Sequence, residues 1–142
     1  MASISVCATV KNEADTVGEL ISDLKNQTRQ PDEIVVVDGG STDGTREQLA
    51  EGLGQSTAFK LIEYVGSNIA QGRNRAVAGS TGHLITLLDA GLRLKPEWLE
   101  SLAGPLESDP SIDVVFGYVL SKPRNYFESV LGVVTIPAES EI

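Results

Sequence analysis

Residues 33–45 read Glu33-Ile34-Val35-Val36-Val37-Asp38-Gly39-Gly40-Ser41-Thr42-Asp43-Gly44-Thr45. The β-branched run Ile34 to Val37 stops at an aspartate and gives way to a dense cluster of turn formers. β-branched side chains suit a pleated sheet, and an unbroken apolar run suits one covered on both faces. The spacing therefore predicts a buried strand, Glu33 to Val37, followed by a tight turn and a helix to about Leu53.

The same alternation extends in both directions. Ile4 to Val10 reads as another buried strand. Asn12 to Gln27 switches to a helical period, with Val17, Leu20, Ile21 and Leu24 on one face and Asn12 as its N-cap. Downstream, Ala58 to Val65 is a third strand and Gln71 to Gly79 a third helix. His83 to Leu88 is a fourth strand. Pro96 opens a fourth helix that carries Trp98, Leu99, Leu102 and Leu106, with Gly104-Pro105 set to kink or end it. Ile112 to Val119 reads as a fifth strand, Asn125 to Val134 as a helix, and Ile136 to Ile142 as a short polar tail. Strands alternating with helices predict an α/β fold: a mostly parallel sheet with helices on both faces.

Composition narrows the function. The chain has 142 residues, 41% hydrophobic and 22% charged, which is one globular domain's worth of sequence. No apolar run is long enough for a membrane span, and the first residues lack the pattern of a signal peptide. These features place the chain in the cytoplasm, or at the cytoplasmic face of a membrane as part of a longer protein. One cysteine, Cys7, excludes an internal disulfide and reads as a buried small hydrophobe. Eleven basic against twenty acidic side chains give a net charge of −9, which argues against a nucleic-acid partner. Any phosphate ligand must then be held by local positive charge, a helix N-terminus or a metal ion.

Polar clusters fall at the carboxyl ends of the strands, where open α/β sheets bind ligands. They are Thr9-Val10-Lys11-Asn12-Glu13, Asp38-Gly39-Gly40-Ser41, Ser67-Asn68 with Gly72-Arg73-Asn74-Arg75, and Asp89-Ala90-Gly91. Gly39 and Gly40 permit positive φ and a close ligand approach; they equally serve a tight βα turn, with Ser41 or Thr42 capping the helix. Arg73 and Arg75 lie about 200° apart on a helix, so at most one faces the rim. Lys11 can supply charge there or stay in solvent. Asp89 can hold a divalent cation or cap a turn. His83 opens the fourth strand, roughly 20 Å from Asp89, and reads as structural, which leaves no Ser–His–Asp triad. Neither a G-x-G-x-x-G nor a P-loop pattern occurs.

Four stretches carry a resemblance: residues 5–13, residues 32–45, Gly72-Arg73-Asn74 and Leu87-Leu88-Asp89-Ala90-Gly91. In these the chain resembles the inverting glycosyltransferases of family 2, which have the GT-A (Rossmann-like) fold. The resemblance implies a UDP- or GDP-sugar donor and a sugar, lipid or protein acceptor. Thr9, Val10 and Lys11 would line the base and ribose, with Glu13 and Asp38 at the nucleoside and Arg73 at the nucleotide. Asp89 is the first aspartate of the family's D-x-D, implying Mg²⁺ or Mn²⁺. The chain departs from the family at Lys11, which replaces an aromatic residue, at Gly39, which replaces a second aspartate, and at Gly91, which replaces the last metal ligand. The family's acceptor half, with its acidic general base, is not visible, so the fold is expected to be truncated. Residues 1–142 then form the nucleotide-sugar-binding part, with the general base expected outside them and Glu128 the fallback candidate within. The uncovered sheet edge would invite a homodimer. The alternative is a nucleotide-sugar-binding module without turnover.

Overall fold

The computed structural model describes residues 1–55, 58–117 and 119. Four strands, β1 (Ile4–Val10), β2 (Glu33–Asp38), β3 (Ala58–Glu63) and β4 (Leu84–Asp89), form one sheet in the order β3-β2-β1-β4. Every pairing is parallel. The helices between them are α1 (Val17–Lys25), α2 (Thr45–Leu53), α3 (Ile69–Gly79) and α4 (Trp98–Ser108).

The apolar runs explain this layering. Ile4, Val6, Ala8, Val10, Ile34 and Val36 pack one face against α1, α2 and α4, using Val17, Leu20, Leu24, Leu49, Leu53, Leu99 and Ala103. Cys7, Val35 and Val37 turn to the other face and meet Ala76 of α3. Alternate residues thus serve opposite faces, as the period of two in a strand requires. The α3 face is covered over β1 and β2. At its margin Ile85 and Leu87 of β4 stay 45% and 53% exposed among the described residues.

The amino ends of the strands are knitted by one buried carboxylate. Glu33 is 4% exposed and accepts from the Ser5 hydroxyl at 2.6 Å, Lys60 Nζ at 2.5 Å and the Thr81 N–H at 2.7 Å. Burial alone would raise its pKa, but the Lys60 ammonium and the two donors bring it down to about 2. The loop after β4 is fixed to α1. Asp23 accepts from Arg93 Nε at 2.8 Å and the Leu94 N–H at 2.9 Å, and Arg93 holds its carboxyl below the usual range. Gln27, 5% exposed, donates to the Lys95 carbonyl at 2.9 Å and accepts from the Leu99 N–H at 3.0 Å.

Several sequence expectations shift. Helix α1 starts at Val17, not after Asn12. Asn12 is no N-cap: it adopts φ 54°, a left-handed conformation asparagine tolerates, and bonds to the loop after β2. Gly44, at φ 96°, occupies the N-cap position of α2, and neither Ser41 nor Thr42 caps it. Helix α3 starts at Ile69, two residues before Gln71, and α4 starts at Trp98, two residues after Pro96. Pro105 sits inside α4 without ending it; its missing N–H removes one bond near the last turn, and the helix continues to Ser108. Residues 112–117 and 119 form no strand, although Val114-Val115-Phe116 is a short β-branched and aromatic apolar run. No neighbouring strand pairs with them among the described residues, and Val114 and Phe116 stand 62% and 89% exposed. The helix expected over Asn125 to Val134, Glu128 and the tail lie outside the described residues.

Candidate functional site

The strand order reverses beside β1: β2 and β3 extend to one side of it and β4 to the other. The crevice beyond the carboxyl ends at such a point is the ligand position of an open α/β sheet. Register brings Thr9 between Val37 of β2 and Asp89 of β4, so three strand ends meet there.

A pocket of about 770 Å³ opens at this place. Its wall takes Thr9, Val10, Lys11 and Glu13 from the end of β1, Gly39 from β2, and Asp89 and Ala90 from β4. Ser67, Asn68, Ile69, Ala70 and Gly72 close it from the start of α3. The first turn of that helix carries unpaired N–H groups and the positive end of the helix dipole. Asn68 fixes it in place: its side chain accepts from the Gln71 N–H at 2.9 Å, and Gln71 Oε1 accepts from the Asn68 N–H at 3.0 Å. This reciprocal capping box is written in the sequence as Asn68-x-x-Gln71, the signal that marks the helix start correctly.

The loops behind β1 and β2 are bonded into one piece. The Asn12 N–H donates to Ser41 Oγ at 2.9 Å, and Asn12 Oδ1 accepts from the Thr42 N–H at 2.9 Å. The Glu13 N–H donates to Thr45 Oγ1 at 2.9 Å, and the Ala14 N–H to Asp43 at 3.0 Å. The bonds from Ala14 and Thr45 hold the Asp43 carboxyl below its ordinary pKa, that from the Thr45 hydroxyl most strongly. These bonds span about thirty residues of chain, so a local sequence pattern does not announce them.

The candidate residues divide by position. Thr9, Val10, Lys11, Glu13, Gly39 and Asp89 are brought to one wall. Asp38 is not among the residues lining it. Its side chain is fully buried and accepts from the Ser41 N–H at 3.0 Å and the Ser41 hydroxyl at 2.5 Å, shaping the turn beneath the pocket. Of the two glycines, Gly40 takes the positive φ, 97°, and Gly39 does not. A Cβ at Gly39 has room, lying 3.5 Å from Lys11 Cδ. Gly72 has none, since a Cβ would fall 2.7 Å from Thr9 Cγ2. Its bare backbone lets α3 lie against the end of β1.

Arg73 is likewise not among the residues lining the pocket; it reaches the rim through Asp89, and Arg75 is exposed. The Arg73 guanidinium grips Asp89: Nη2 lies 2.5 Å from Oδ1 and 2.6 Å from Oδ2, and Nε lies 3.2 Å from Oδ1. Among the described residues no group of three His, Cys, Asp or Glu side chains is placed to hold a metal ion. Asp89 offers the hard oxygens that Mg²⁺ and Mn²⁺ take, so it suits such an ion as one ligand of a shell completed by other oxygens. His83 sits at the opposite end of β4, its N–H on Ser3 Oγ at 3.0 Å. No helix among the described residues is long and apolar enough to cross a membrane.

A parallel sheet with this order and a pocket under a helix N-terminus defines a Rossmann-like ligand-binding domain, and similar solved structures give it a narrower class. Staphylococcus aureus TarS 1–349 in complex with UDP is 26% identical, with a TM-score of 0.64 over 74% of this chain and 32% of that one. Glucosyl-3-phosphoglycerate synthase from Mycobacterium tuberculosis, solved with Mn²⁺, UDP and glucosyl-3-phosphoglycerate, is 23% identical, with a TM-score of 0.66 over 78% and 42%. The fold is GT-A. The profile of Glycosyl transferase family 2 matches residues 5–132, and the chain belongs to that family. Glycosyltransferase AglE of Haloferax volcanii is 31% identical over 122 residues, which are 82% of this chain and 39% of AglE. Validoxylamine A glucosyltransferase of Streptomyces hygroscopicus subsp. limoneus is 28% identical over 130 residues, 86% of this chain and 28% of the relative. The chain thus spans well under half the length of these relatives.

Proposed function

We propose that residues 1–142 are the donor-binding part of a glycosyltransferase that moves a sugar from a nucleoside diphosphate to an acceptor hydroxyl with inversion. The observation that carries this reading is the pocket at the reversal of strand order, in a chain of this family. The UDP bound by TarS supports a nucleotide-sugar donor.

Each wall has a part in that reaction. Thr9, Val10 and Lys11 cradle the nucleoside, and Glu13 stands beside it. Lys11 makes no hydrogen bond or ion pair among the described residues, so its ammonium is available to a ligand. The first turn of α3 points backbone N–H groups at the diphosphate, and Arg73 adds a full positive charge. These offset the repulsion that a net charge of −9 imposes on phosphate. Asp89 would hold Mg²⁺ or Mn²⁺, which when bound neutralises charge on the leaving diphosphate as a Lewis acid. In the transfer, the acceptor oxygen bonds to the anomeric carbon from the face opposite the diphosphate. The bond from that carbon to the phosphate oxygen breaks, and a base takes the hydroxyl proton. Glu128 remains the candidate base on sequence grounds. The domain would act on the cytoplasmic side.

Calorimetric titration with UDP and GDP tests the pocket. Arg73→Ala should weaken binding by about 1.5–3 kcal/mol, the size of a charge-assisted contact. Failure of the unmutated, folded chain to bind any nucleoside diphosphate overturns the proposal. Transfer of labelled sugar to an acceptor panel, repeated with Glu128→Gln, then separates a catalytic chain from a binding module.

A further inference from the structure

The contact between Arg73 and Asp89 joins the two groups that the proposed donor site asks to act separately. The guanidinium covers both oxygens of the carboxylate. A divalent cation approaching Asp89 would meet that positive charge at the same two atoms, so the arginine and the ion compete for them. Packing fixes the two backbones that carry the pair. Gly72, next to Arg73, lies against Thr9 so closely that a Cβ would sit 2.7 Å from Thr9 Cγ2. Thr9 is the register partner of Asp89. The helix bearing the arginine and the strand bearing the carboxylate are therefore pinned through one threonine.

The pair is also easy to surrender. Its side chains are 39% and 51% exposed, and ion pairs with that access to water contribute little. Arg73 makes no other hydrogen bond among the described residues, and its Nη1 is left to meet an incoming anion. A diphosphate offers more oxygens and more negative charge than one carboxylate, and planar bidentate recognition of phosphate suits arginine well.

We propose that Arg73 and a divalent cation are alternative partners of Asp89, and that a diphosphate decides between them by drawing the guanidinium off the carboxylate. Without nucleotide, Arg73 acts as a tethered cation that closes Asp89 to metal. With nucleotide, the freed carboxylate and the phosphate oxygens together form the metal shell, so metal follows nucleotide. The identity of the diphosphate rests on the proposed function; the exclusion of metal by Arg73 does not.

The test uses amide resonances of residues 88–91, broadened by Mn²⁺, in the unmutated chain, Arg73→Gln and Asp89→Asn. Both substitutions lie at an exposed pair and leave the core intact. With Mn²⁺ alone, Arg73→Gln should show at least threefold more broadening than the unmutated chain, which should match Asp89→Asn. Equal broadening in the unmutated chain and Arg73→Gln overturns the exclusion. Adding UDP to the unmutated chain should bring the broadening up, and should do so less in Asp89→Asn. In chelator, Asp89→Asn should tighten UDP binding about threefold, because the nucleotide no longer competes for Arg73. That gain should vanish in the Arg73→Gln background. A gain that persists there reflects lost repulsion only and overturns the competition. UDP that binds without raising the Mn²⁺ response overturns the ordering. Absence of any UDP binding overturns the nucleotide reading and the ordering with it, while the Mn²⁺-only comparison still decides the exclusion.

Discussion

Replacing Glu33 with glutamine keeps the shape of a buried side chain and removes its charge. The partners facing Glu33 are the Lys60 ammonium, the Thr81 N–H and hydroxyl, and the Ser5 hydroxyl. A carboxylate can accept from all of them. A glutamine has one oxygen, and whichever position its NH₂ takes, it faces an obligate donor, the Lys60 ammonium or the Thr81 N–H; only the Ser5 and Thr81 hydroxyls can turn to accept. The magnitude follows from the pKa, held at about 2 against an ordinary 4.5. At 1.36 kcal/mol per pH unit the difference is worth about 3 kcal/mol. Lys60 is 43% exposed, so water screens part of that, and about 2 kcal/mol is expected. The folded pKa lies below the unfolded one. The contribution is therefore complete above pH 4.5 and is lost as the pH falls towards about 2. Urea unfolding of both proteins at pH 7 should show Glu33→Gln less stable by this amount. As the pH falls through that window the gap should narrow, because protonated Glu33 comes to resemble glutamine. Equal stability at pH 7, or a gap that does not change on acidification, would refute the argument.

Gly72→Ala sets a helix preference of about 1 kcal/mol against the overlap with Thr9, and overpacking of this kind costs about 1–3 kcal/mol. Thermal unfolding should show net destabilisation of about 1 kcal/mol; a more stable variant would mean that Thr9 yields without cost. Gln27→Ala leaves the Leu99 N–H without its partner, while the Lys95 carbonyl keeps the bond from the Trp98 N–H, and should cost about 1–3 kcal/mol in urea unfolding, with faster hydrogen exchange at Leu99.

The two central strands were legible because β1 and β2 are compact apolar runs buried on both faces, which leaves no competing period. β3 and β4, exposed along one side, were legible from their β-branched and aromatic residues between turn formers. Ile34 to Val37 could be little else. Helix starts were less legible. Asn12 looks like a cap, yet its partners lie in the loop after β2, where Ser41 and Thr42 arrive only once the strands pair. The stretch 112–117 has a strand-like apolar run in Val114-Val115-Phe116, but a strand also needs a neighbour. The candidate site was legible as a set of strand ends, because parallel topology sends them all to one rim. The grip of Arg73 on Asp89 was not, since it depends on the register that sets Thr9 beside Asp89. The clamp of Asp23 and Gln27 on the loop after β4 joins positions about seventy residues apart and leaves no local trace.

The bonded loops behind β1 and β2 also bear on how such a pocket can change over generations. The bonds that hold their shape fall on the backbone of Asn12, Glu13 and Ala14 and on the side chains of Asn12, Ser41, Asp43 and Thr45. None falls on the side chains at positions 11 and 39, both of which face the ligand space. Lys11 is solvent-exposed, and Gly39 has space for a Cβ at an ordinary backbone angle. The frame and the contact surface are thus encoded by different residues. On the proposed function, substitutions at positions 11 and 39 would change the contact surface without touching the bonds that hold the frame.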